Sequence, residues 1–289
     1  MTAATHSTPY GTRARHRARA LQTVKFAILL AFVAVFLIPV YVLVVTSFKP
    51  LAEADPSRAW NLPAHWTLEG WRAAWPQLSQ GLWNSTRISV TGSLISAVLG
   101  SLNGFVLSKW RFPYADVVFT LFLFGMFIPY QSVMIPLAGL LVHAHLAGTI
   151  SGLVLAHVVY GIPICTLIFR NYYATIPDEL IEAARVDGAG MLRTYRSVVL
   201  PLSGPSFAVV LIWQFTSSWN DFLFAVFLGT PSSWPVTVWL NNTAGSGAAA
   251  VPYSQQMAEA LLASLPTLLV YILLGRFFMR GLLAGALKG

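Results

Sequence analysis

Two stretches of this chain are long, apolar and free of charged side chains, and they constrain the fold more than any other feature. Residues 26–48 and 88–108 contain no Asp, Glu, Lys or Arg. An apolar helix of about 20 residues crosses a hydrocarbon core roughly 30 Å thick, and an uncharged run of that length is rare in a soluble domain. We therefore predict that both runs span a membrane.

Further apolar sequence predicts four more crossings. Residues 117–169 also lack charged side chains and are long enough for two helices, which would turn near His143 and His145. Two additional apolar runs follow closer to the carboxyl terminus. The composition, with 56% hydrophobic and 10% charged residues, agrees with a polytopic membrane protein and argues against a soluble fold. The expected fold is all-α, with six transmembrane helices.

These runs divide the chain into segments. The six predicted spans cover about 25–48, 86–108, 115–140, 149–169, 203–228 and 257–277. Between them lie an outer segment rich in Trp and Pro at 49–84, a charged segment at 170–202 and a second outer segment at 229–256. A basic tail at 1–24 and a short tail at 281–289 flank a membrane core at 85–280. The Trp content of 49–84 favours a position at the membrane interface, with contact to an extracytoplasmic partner as the alternative.

The distribution of Lys and Arg predicts the orientation. With the amino-terminal tail in the cytoplasm, fourteen of the 18 basic residues lie on that side, and only Lys49, Arg58, Arg72 and Arg87 lie outside. This excess follows the positive-inside rule and places both termini in the cytoplasm. The run after the tail is too long for the core of a signal peptide, so we expect a retained anchor. The net charge of +8 is thereby explained without nucleic acid.

Residue types that perform chemistry are scarce. The single cysteine, Cys165, lies in an apolar run, so neither a disulfide nor a cysteine metal cluster is expected. No P-loop pattern GxxxxGK[ST] occurs, and no set of nucleophile, base or metal ligands is apparent. We expect a non-catalytic chain that has no metal site and no cofactor of its own.

The charged segment 170–202 carries the most informative pattern. Pro177 favours a helix start, and Gly188 favours its end, because glycine adopts a left-handed cap at little cost. A second short helix is expected from Met191 to Val199, breaking at Pro201. One face of the first helix is formed by Leu180, Ala183, Ala184 and Asp187. Its small alanines suit docking to another protein, but the face is equally compatible with an ordinary amphipathic surface helix.

This segment resembles the EAA loop of bacterial ABC importer permeases, which reads EAA, three residues, G, nine residues and I-x-L-P. The matching residues are Glu182, Ala183, Ala184, Gly188, Val198, Leu200 and Pro201, with Val198 in place of the usual isoleucine. Two further segments resemble the maltose-type carbohydrate permeases, in particular the MalG-like member of the pair. They are Trp219-Asn220-Asp221 and the terminal GLLAGALKG. The resemblance covers about residues 20–289.

The resemblance implies the type I importer permease fold and a permease subunit of an ATP-driven, binding-protein-dependent sugar importer in a bacterial cell membrane. The implied partners are a second homologous permease, an ABC ATPase dimer that binds the ATP and Mg, and an extracytoplasmic solute-binding protein. The residues implied in coupling to the ATPase are Glu182, Ala183, Ala184, Asp187, Gly188, Leu200 and Pro201. The residues implied in a loop that enters the binding protein's cleft are Asn241, Asn242, Gly245, Gly247 and Pro252.

Polar residues inside the predicted spans are candidates for a substrate path, because placing them in lipid is costly. They are Asn103, Gln131, His157, Gln214, Asn220, Asp221 and Glu259. We predict that Asn103, Gln131, Gln214 and Asn220 line the path, with interhelical hydrogen bonding as the alternative. Glycerol 3-phosphate or a polyol is the alternative substrate, although no basic residue lies deep in a span to favour a phosphate. An ion-driven secondary transporter is the alternative of another class, and it predicts acidic relays or paired broken helices that are not evident.

The predicted topology can be tested with single cysteines in a Cys165→Ala background. Ser7→Cys, Ser197→Cys and Ala286→Cys should be shielded from a membrane-impermeant thiol reagent in intact cells, because the positive-inside rule places them in the cytoplasm. Ser246→Cys should react. Labelling at position 286 together with shielding at position 246 would reverse the orientation.

Overall fold

A computed structural model describes residues 10–110, 112–245 and 251–286 of the chain. Its helices are α1 (Tyr10–Ser47), a 3-10 turn (Pro56–Arg58), α2 (Glu69–Lys109), α3 (Ala115–Phe127), α4 (Tyr130–His143), α5 (Ile150–Ala174), α6 (Asp178–Val186), α7 (Met191–Thr194), α8 (Leu200–Leu202), α9 (Gly204–Trp219), α10 (Leu223–Leu228), α11 (Val236–Gly245) and α12 (Tyr253–Ala286). A π-helical turn, Tyr195–Val199, joins α7 to α8. No strand occurs among these residues, in agreement with the all-α prediction.

The helices account for the predicted membrane crossings. Four are long and apolar enough to span a membrane, namely Leu21–Ser47, Glu69–Lys109, Ile150–Ala174 and Tyr253–Gly275. Two more pairs qualify only together, each with a sharp bend at a short break. Ala115–Phe127 and Tyr130–His143 are bent by 99°, and Met191–Leu202 and Gly204–Trp219 by 80°. By length and composition, the described helices thus provide four spans, or up to six if each bent pair is one span. The span predicted at 203–228 is interrupted, because α9 ends at Trp219 and α10 begins at Leu223.

The span predicted at 115–140 is therefore two helices rather than one. Ile128, between α3 and α4, has an extended backbone with φ −72° and ψ 116°, and Pro129 follows it. A proline disfavours the helical conformation of the residue before it, because its ring clashes with that residue's backbone. The chain accordingly changes direction at this point, which the hydropathy pattern alone did not show.

The boundary expected at residue 84 lies inside a helix. α2 begins at Glu69, so residues 69–84 of the predicted outer segment belong to a helix that continues to Lys109. Ala74 and Leu78, four residues apart on one face, are completely buried. Burial of this apolar face stabilises helix where the Trp and Pro content suggested a surface segment.

The second outer segment, 229–256, is also more helical than expected. α11 lies within it, and Val236 at its start is completely buried. Val236 belongs to an apolar cluster with Leu78 and Trp219. Residues 246–250 of this segment lie outside the described part of the chain.

Both predicted tails are partly helical. α1 begins at Tyr10, inside the basic tail 1–24, and α12 continues to Ala286, inside the tail 281–289. Residues 1–9, Arg111 and residues 287–289 are outside the described residues.

The internal contacts divide the chain into two units, residues 1–71 with 252–258 and residues 72–251 with 259–289. The first unit joins segments that are distant in sequence. A Cβ added to Gly70 would lie 2.8 Å from the carbonyl oxygen of Ser254, so the two segments meet backbone to backbone.

A buried lysine organises the turn that follows α1 in the first unit. Lys49 is 2% exposed, and its Nζ donates a hydrogen bond of 2.7 Å to the carbonyl oxygen of Arg58. Burial lowers the pKa of Lys49, and the nearby Glu53 carboxylate partly opposes that shift. The Asp55 side chain caps the 3-10 turn by accepting from the Ser57 N–H over 2.7 Å. Lys49, one of the four basic residues predicted to lie on the outer side of the membrane, is therefore buried within the fold.

In the second unit, α2 and α5 pack with almost no space between their backbones. A Cβ added to Gly100 would lie 2.9 Å from the carbonyl carbon of Cys165, and one added to Gly104 would lie 2.8 Å from the amide nitrogen of Arg170. Small residues at this spacing allow close helix packing in membranes.

A large side chain at the α2–α5 contact should destabilise the protein. We expect Gly100→Leu to lower the free energy of unfolding by about 1–3 kcal/mol, because the side chain cannot be accommodated between two backbones. Gly125→Leu on α3 is the matched control, since nothing lies within 4 Å of a Cβ added there. The melting temperatures of the two variants are measured by thermal unfolding of detergent-purified protein. Equal melting temperatures for Gly100→Leu and Gly125→Leu would contradict the close packing of α2 and α5.

Candidate functional site

The charged segment folds as two helical pieces joined at a glycine turn. α6 follows Pro177 and carries Asp178 and Glu179 in its first turn, where carboxylates interact favourably with the helix dipole. Gly188 has a φ of +75°, which confirms the predicted left-handed turn. Nothing lies within 4 Å of a Cβ added there, so the backbone conformation rather than crowding favours glycine.

One face of α6 is buried and the other is open. Ile181 belongs to an apolar cluster with Tyr173 and Tyr195. The residues of α6 implied in coupling lie on the open side, with Glu182 and Ala183 exposed and Ala184 half-buried, and Asp187 directly after the helix is also exposed. Leu180 and Val186 are apolar yet 44% and 87% exposed. α6 therefore presents a surface of small, acidic and apolar groups.

Two basic residues attach both ends of α6 to the end of α2. Lys109 Nζ lies 2.6 Å from Asp178 Oδ1 and donates to the carbonyl oxygen of Ile176 over 2.6 Å. Arg185 donates to the carbonyl oxygen of Lys109 over 3.4 Å, and its guanidinium lies 4.5 Å from the centre of the Trp110 ring. A displacement of α6 would therefore be transmitted through these contacts to the end of α2.

The second helical piece does not break at Pro201 as predicted. It runs from Met191 through the π-helical turn to Leu202, and bends by 80° before α9. Pro201 lies in the first turn of α8, where its missing N–H and fixed φ are tolerated. The motif residues Leu200 and Pro201 are both exposed next to this bend.

A cleft of about 620 Å³ lies among α3, α4, α5, α9 and α10. Gln214 and Asn220, two of the four residues predicted to line a path, are part of its wall. Asn103 and Gln131 are not among the lining residues; Asn103 is half-buried on α2, and Gln131 is exposed on α4. The structure thus brings together only half of the predicted set.

The polar groups of the cleft are held by hydrogen bonds. Gln214 Nε2 donates to the carbonyl oxygen of His157 over 3.0 Å, which joins α9 to α5. His157 Nε2 lies 3.8 Å from Asp221 Oδ2, and that oxygen accepts from the N–H of Phe224 over 3.1 Å. Asp221 therefore caps α10 while its carboxylate faces the cleft.

Aromatic side chains that sequence reasoning missed form much of the wall. The Phe224 ring lies 5.5 Å from that of Tyr130 and 5.3 Å from that of Tyr160, and Trp213 is 57% exposed. Hydropathy cannot distinguish an aromatic residue that lines a cleft from one that faces lipid, because both occur in apolar runs. Pro129 was the available signal, because the bend it causes directs α4 and Tyr130 toward the other helices.

Residues 92–283 match the family described as the binding-protein-dependent transport system inner membrane component. The matched region contains α6, the π-helical turn and every helix of the cleft wall, and it spans well over half of the chain. The chain belongs to this family.

Individual relatives agree with that assignment. A probable ABC transporter permease of Pyrococcus horikoshii is 51% identical to this permease over 167 residues, which cover 57% of this permease and 60% of that protein. The xylose/arabinose import permease XacI of Haloferax volcanii is 33% identical, over 89% of this permease and 91% of the relative. In a bacterial ABC transporter involved in alginate import, one chain has a similar fold, with a TM-score of 0.78 and 21% identity over 90% of this permease and 97% of that chain. The protein is a non-catalytic, multi-pass membrane subunit with the importer permease fold.

Three of the residues predicted to contact a binding protein lie on α11 of the permease, and a fourth directly precedes α12. Asn241 and Asn242 are exposed on α11, Gly245 is its last residue, and Pro252 immediately precedes α12. Gly247 lies outside the described residues. Thr243 Oγ1 on α11 donates to Glu259 Oε2 on α12 over 2.8 Å, and Glu259 is completely buried. Glu259 therefore joins two helices and is not part of the cleft wall.

Proposed function

We propose that this permease forms one wall of the translocation path of an ATP-driven importer and conducts a neutral sugar delivered by an extracytoplasmic binding protein. The observation that carries the proposal is the cleft, in which aromatic rings lie beside the amides of Gln214 and Asn220. Aromatic faces pack against the C–H faces of sugars, while amides and carboxylates hydrogen-bond their hydroxyl groups. The similarity to a xylose/arabinose permease supports this substrate class.

The charge of the cleft favours a neutral substrate over glycerol 3-phosphate. Its lining, which consists of described residues, includes Asp221 but neither Lys nor Arg. Proteins bind phosphate chiefly through Arg, Lys and backbone N–H groups, and a carboxylate repels it. A neutral sugar or polyol therefore fits this wall better than a phosphorylated substrate does.

The open face of α6 is the proposed docking surface for an ABC ATPase dimer, which binds the ATP and Mg. Glu182 would pair with a basic group of the ATPase, and the small side chains of Ala183 and Ala184 would allow close approach. The attachment of α6 to α2 through Lys109 and Arg185 supports this role, because it provides a route by which docking forces reach a membrane helix. In this arrangement α6 and both termini lie in the cytoplasm, as the positive-inside rule predicts.

The remaining partners follow from the same proposal. A second homologous permease completes the path on the open side of the cleft. The binding protein meets the segment that includes Asn241, Asn242 and Pro252, where two exposed amides could compete for the hydrogen bonds that a sugar makes.

The substrate class is tested by import into proteoliposomes that contain the complete complex and its binding protein. Radiolabelled xylose, glucose, maltose and glycerol 3-phosphate are offered in turn, and we expect import of at least one neutral sugar and none of glycerol 3-phosphate. Asn220→Leu should lower the import rate about tenfold, the effect of losing one polar contact of about 1.4 kcal/mol. Gln131→Leu is the matched control, because this amide is exposed outside the cleft. Import of glycerol 3-phosphate alone would overturn the substrate class.

The docking role predicts that Glu182→Lys and Gly188→Val uncouple transport but leave membrane insertion intact. The first places a like charge against the basic partner, and the second forces a β-branched residue into a left-handed turn. Glu182→Gln should have a smaller effect than Glu182→Lys. Gly190→Val is the control for the second change, since Gly190 has an ordinary extended backbone with open space around it. Sugar uptake and pull-down of the ATPase are the measurements, and normal uptake by Glu182→Lys would refute docking.

The binding-protein role predicts a selective effect of deleting residues 245–250. Uptake and the stimulation of ATP hydrolysis by the binding protein should fall, because a shortened segment cannot reach the binding protein's cleft. Unstimulated hydrolysis and assembly of the complex should stay nearly unchanged. If the binding protein still stimulates ATP hydrolysis fully in the deletion variant, the segment is only a passive connection between helices. If the variant complex fails to assemble, the segment has a structural role.

A further inference from the structure

Four buried hydroxyl groups form a continuous hydrogen-bonded network next to α6. Ser101 Oγ on α2 lies 2.6 Å from the Tyr173 hydroxyl and 2.7 Å from the Tyr195 hydroxyl. Ser203 Oγ, at the bend before α9, lies 2.9 Å from the Tyr173 hydroxyl and 2.6 Å from the carbonyl oxygen of Val199. All four hydroxyl-bearing residues are buried. We refer to Ser101, Tyr173, Tyr195 and Ser203 as the hydroxyl network.

The hydroxyls of the network differ in how many contacts each makes. Ser101 contacts both Tyr173 and Tyr195, and either partner of each contact could be the donor. Tyr173 contacts Ser101 and accepts from Ser203, whose single proton is shared between the Tyr173 oxygen and the carbonyl oxygen of Val199. Tyr195 makes one contact of the network, with Ser101.

The ends of this network lie on the same π-helical turn. Tyr195 is its first residue and Val199 its last. Between these ends the network passes through α2 at Ser101 and the end of α5 at Tyr173, and it returns through Ser203 at the 80° bend. The turn is therefore fastened to two membrane helices and to the bend that leads into a third.

α6 packs on the same residues. Its buried Ile181 shares an apolar cluster with Tyr173, Tyr195 and Val199. A force on the open face of α6 is transmitted through this cluster to the π-helical turn. If the turn moved without α2 and α5, hydroxyl groups would be left buried without partners, which is energetically costly. The intact network therefore favours joint movement of these elements.

We propose that the hydroxyl network is a positioning device that makes residues 191–202 move together with α2 and α5 when an ATPase displaces α6. The inference rests on the coupling role proposed above. Its residues act through the helices that they hold and touch neither sugar nor nucleotide. Loss of the network should separate ATP hydrolysis from import, whereas a purely structural contribution would lower both together.

The number of contacts that each hydroxyl makes predicts a ranking of variants. Ser101→Ala removes the contacts to Tyr173 and Tyr195, and Tyr173→Phe removes those to Ser101 and Ser203. Tyr195→Phe removes a single contact, so the contacts among the remaining three hydroxyls are kept. We expect Ser101→Ala and Tyr173→Phe to raise the ATP hydrolysed per sugar imported at least about fivefold, the lower end of usual coupling effects. Tyr195→Phe should raise this ratio less.

Ser96→Ala is a matched control for Ser101→Ala, because both serines lie on α2. Ser96 is as completely buried as Ser101, and its hydroxyl has no hydrogen-bond partner among the described residues. Ser96→Ala deletes the same atom from α2 and should leave the ratio unchanged. Ser101→Ala combined with Tyr195→Phe should be no more severe than Ser101→Ala alone, because both interrupt one network. An equal rise in Ser96→Ala and Ser101→Ala would overturn the proposal.

A second measurement does not depend on import. Hydrogen exchange in the purified complex without nucleotide should be faster for the backbone amides of residues 191–202 in Ser101→Ala than in Ser96→Ala. Equal exchange in the two variants, or an unchanged ATP-to-sugar ratio in both Ser101→Ala and Tyr173→Phe, would overturn the proposal. If the wild-type complex imports none of the four test substrates, the proposed substrate class fails, and the exchange comparison still decides the role of the network.

Discussion

The larger unit of this permease depends on the contacts of one helix, α2. A membrane helix satisfies its own backbone groups, so its neighbours are selected by close packing and by a few polar contacts. Asn84, fifteen residues after its start at Glu69, donates hydrogen bonds of 3.0 Å to the carbonyl oxygens of Ser232 and Trp234. Gly100 admits the backbone of α5, and Lys109 at its end holds α6. Because these contacts lie along one helix, α6 is connected through α2 to elements that contact it 25 residues away, at Asn84.

The sequence predicted features that arise from local chemistry and missed those that arise from packing. The apolar runs are visible because lipid requires them, and Gly188 was identified because a left-handed turn favours glycine. Residues 69–84 of α2 and the whole of α11 were assigned to outer segments, because their helical structure is stabilised by burial of Leu78 and Val236 in one apolar cluster. The bend at Pro129 was detectable as a kink, but hydropathy does not give its 99° angle.

The same distinction applies to the functional residues. Gln214 and Asn220 were found because amides are conspicuous in apolar sequence, but this criterion equally selected Asn103 and Gln131, which lie outside the cleft. Which amide faces the cleft depends on the rotation and bending of its helix. The hydroxyl network was invisible for a related reason: Ser101 lies 72 residues from Tyr173 in sequence, and serine and tyrosine are common in membrane helices.

The first unit has a consequence for biosynthesis. Its main segment ends at residue 71, but its remaining strip of chain, 252–258, is translated about 180 residues later. At usual rates of protein synthesis this interval lasts about 10 to 40 seconds. During that time Gly70 has no Ser254 to pack against, so the unit stays incomplete while the helices of the other unit are emerging. The contact between Gly70 and Ser254 therefore forms late, after most of the chain has been synthesised.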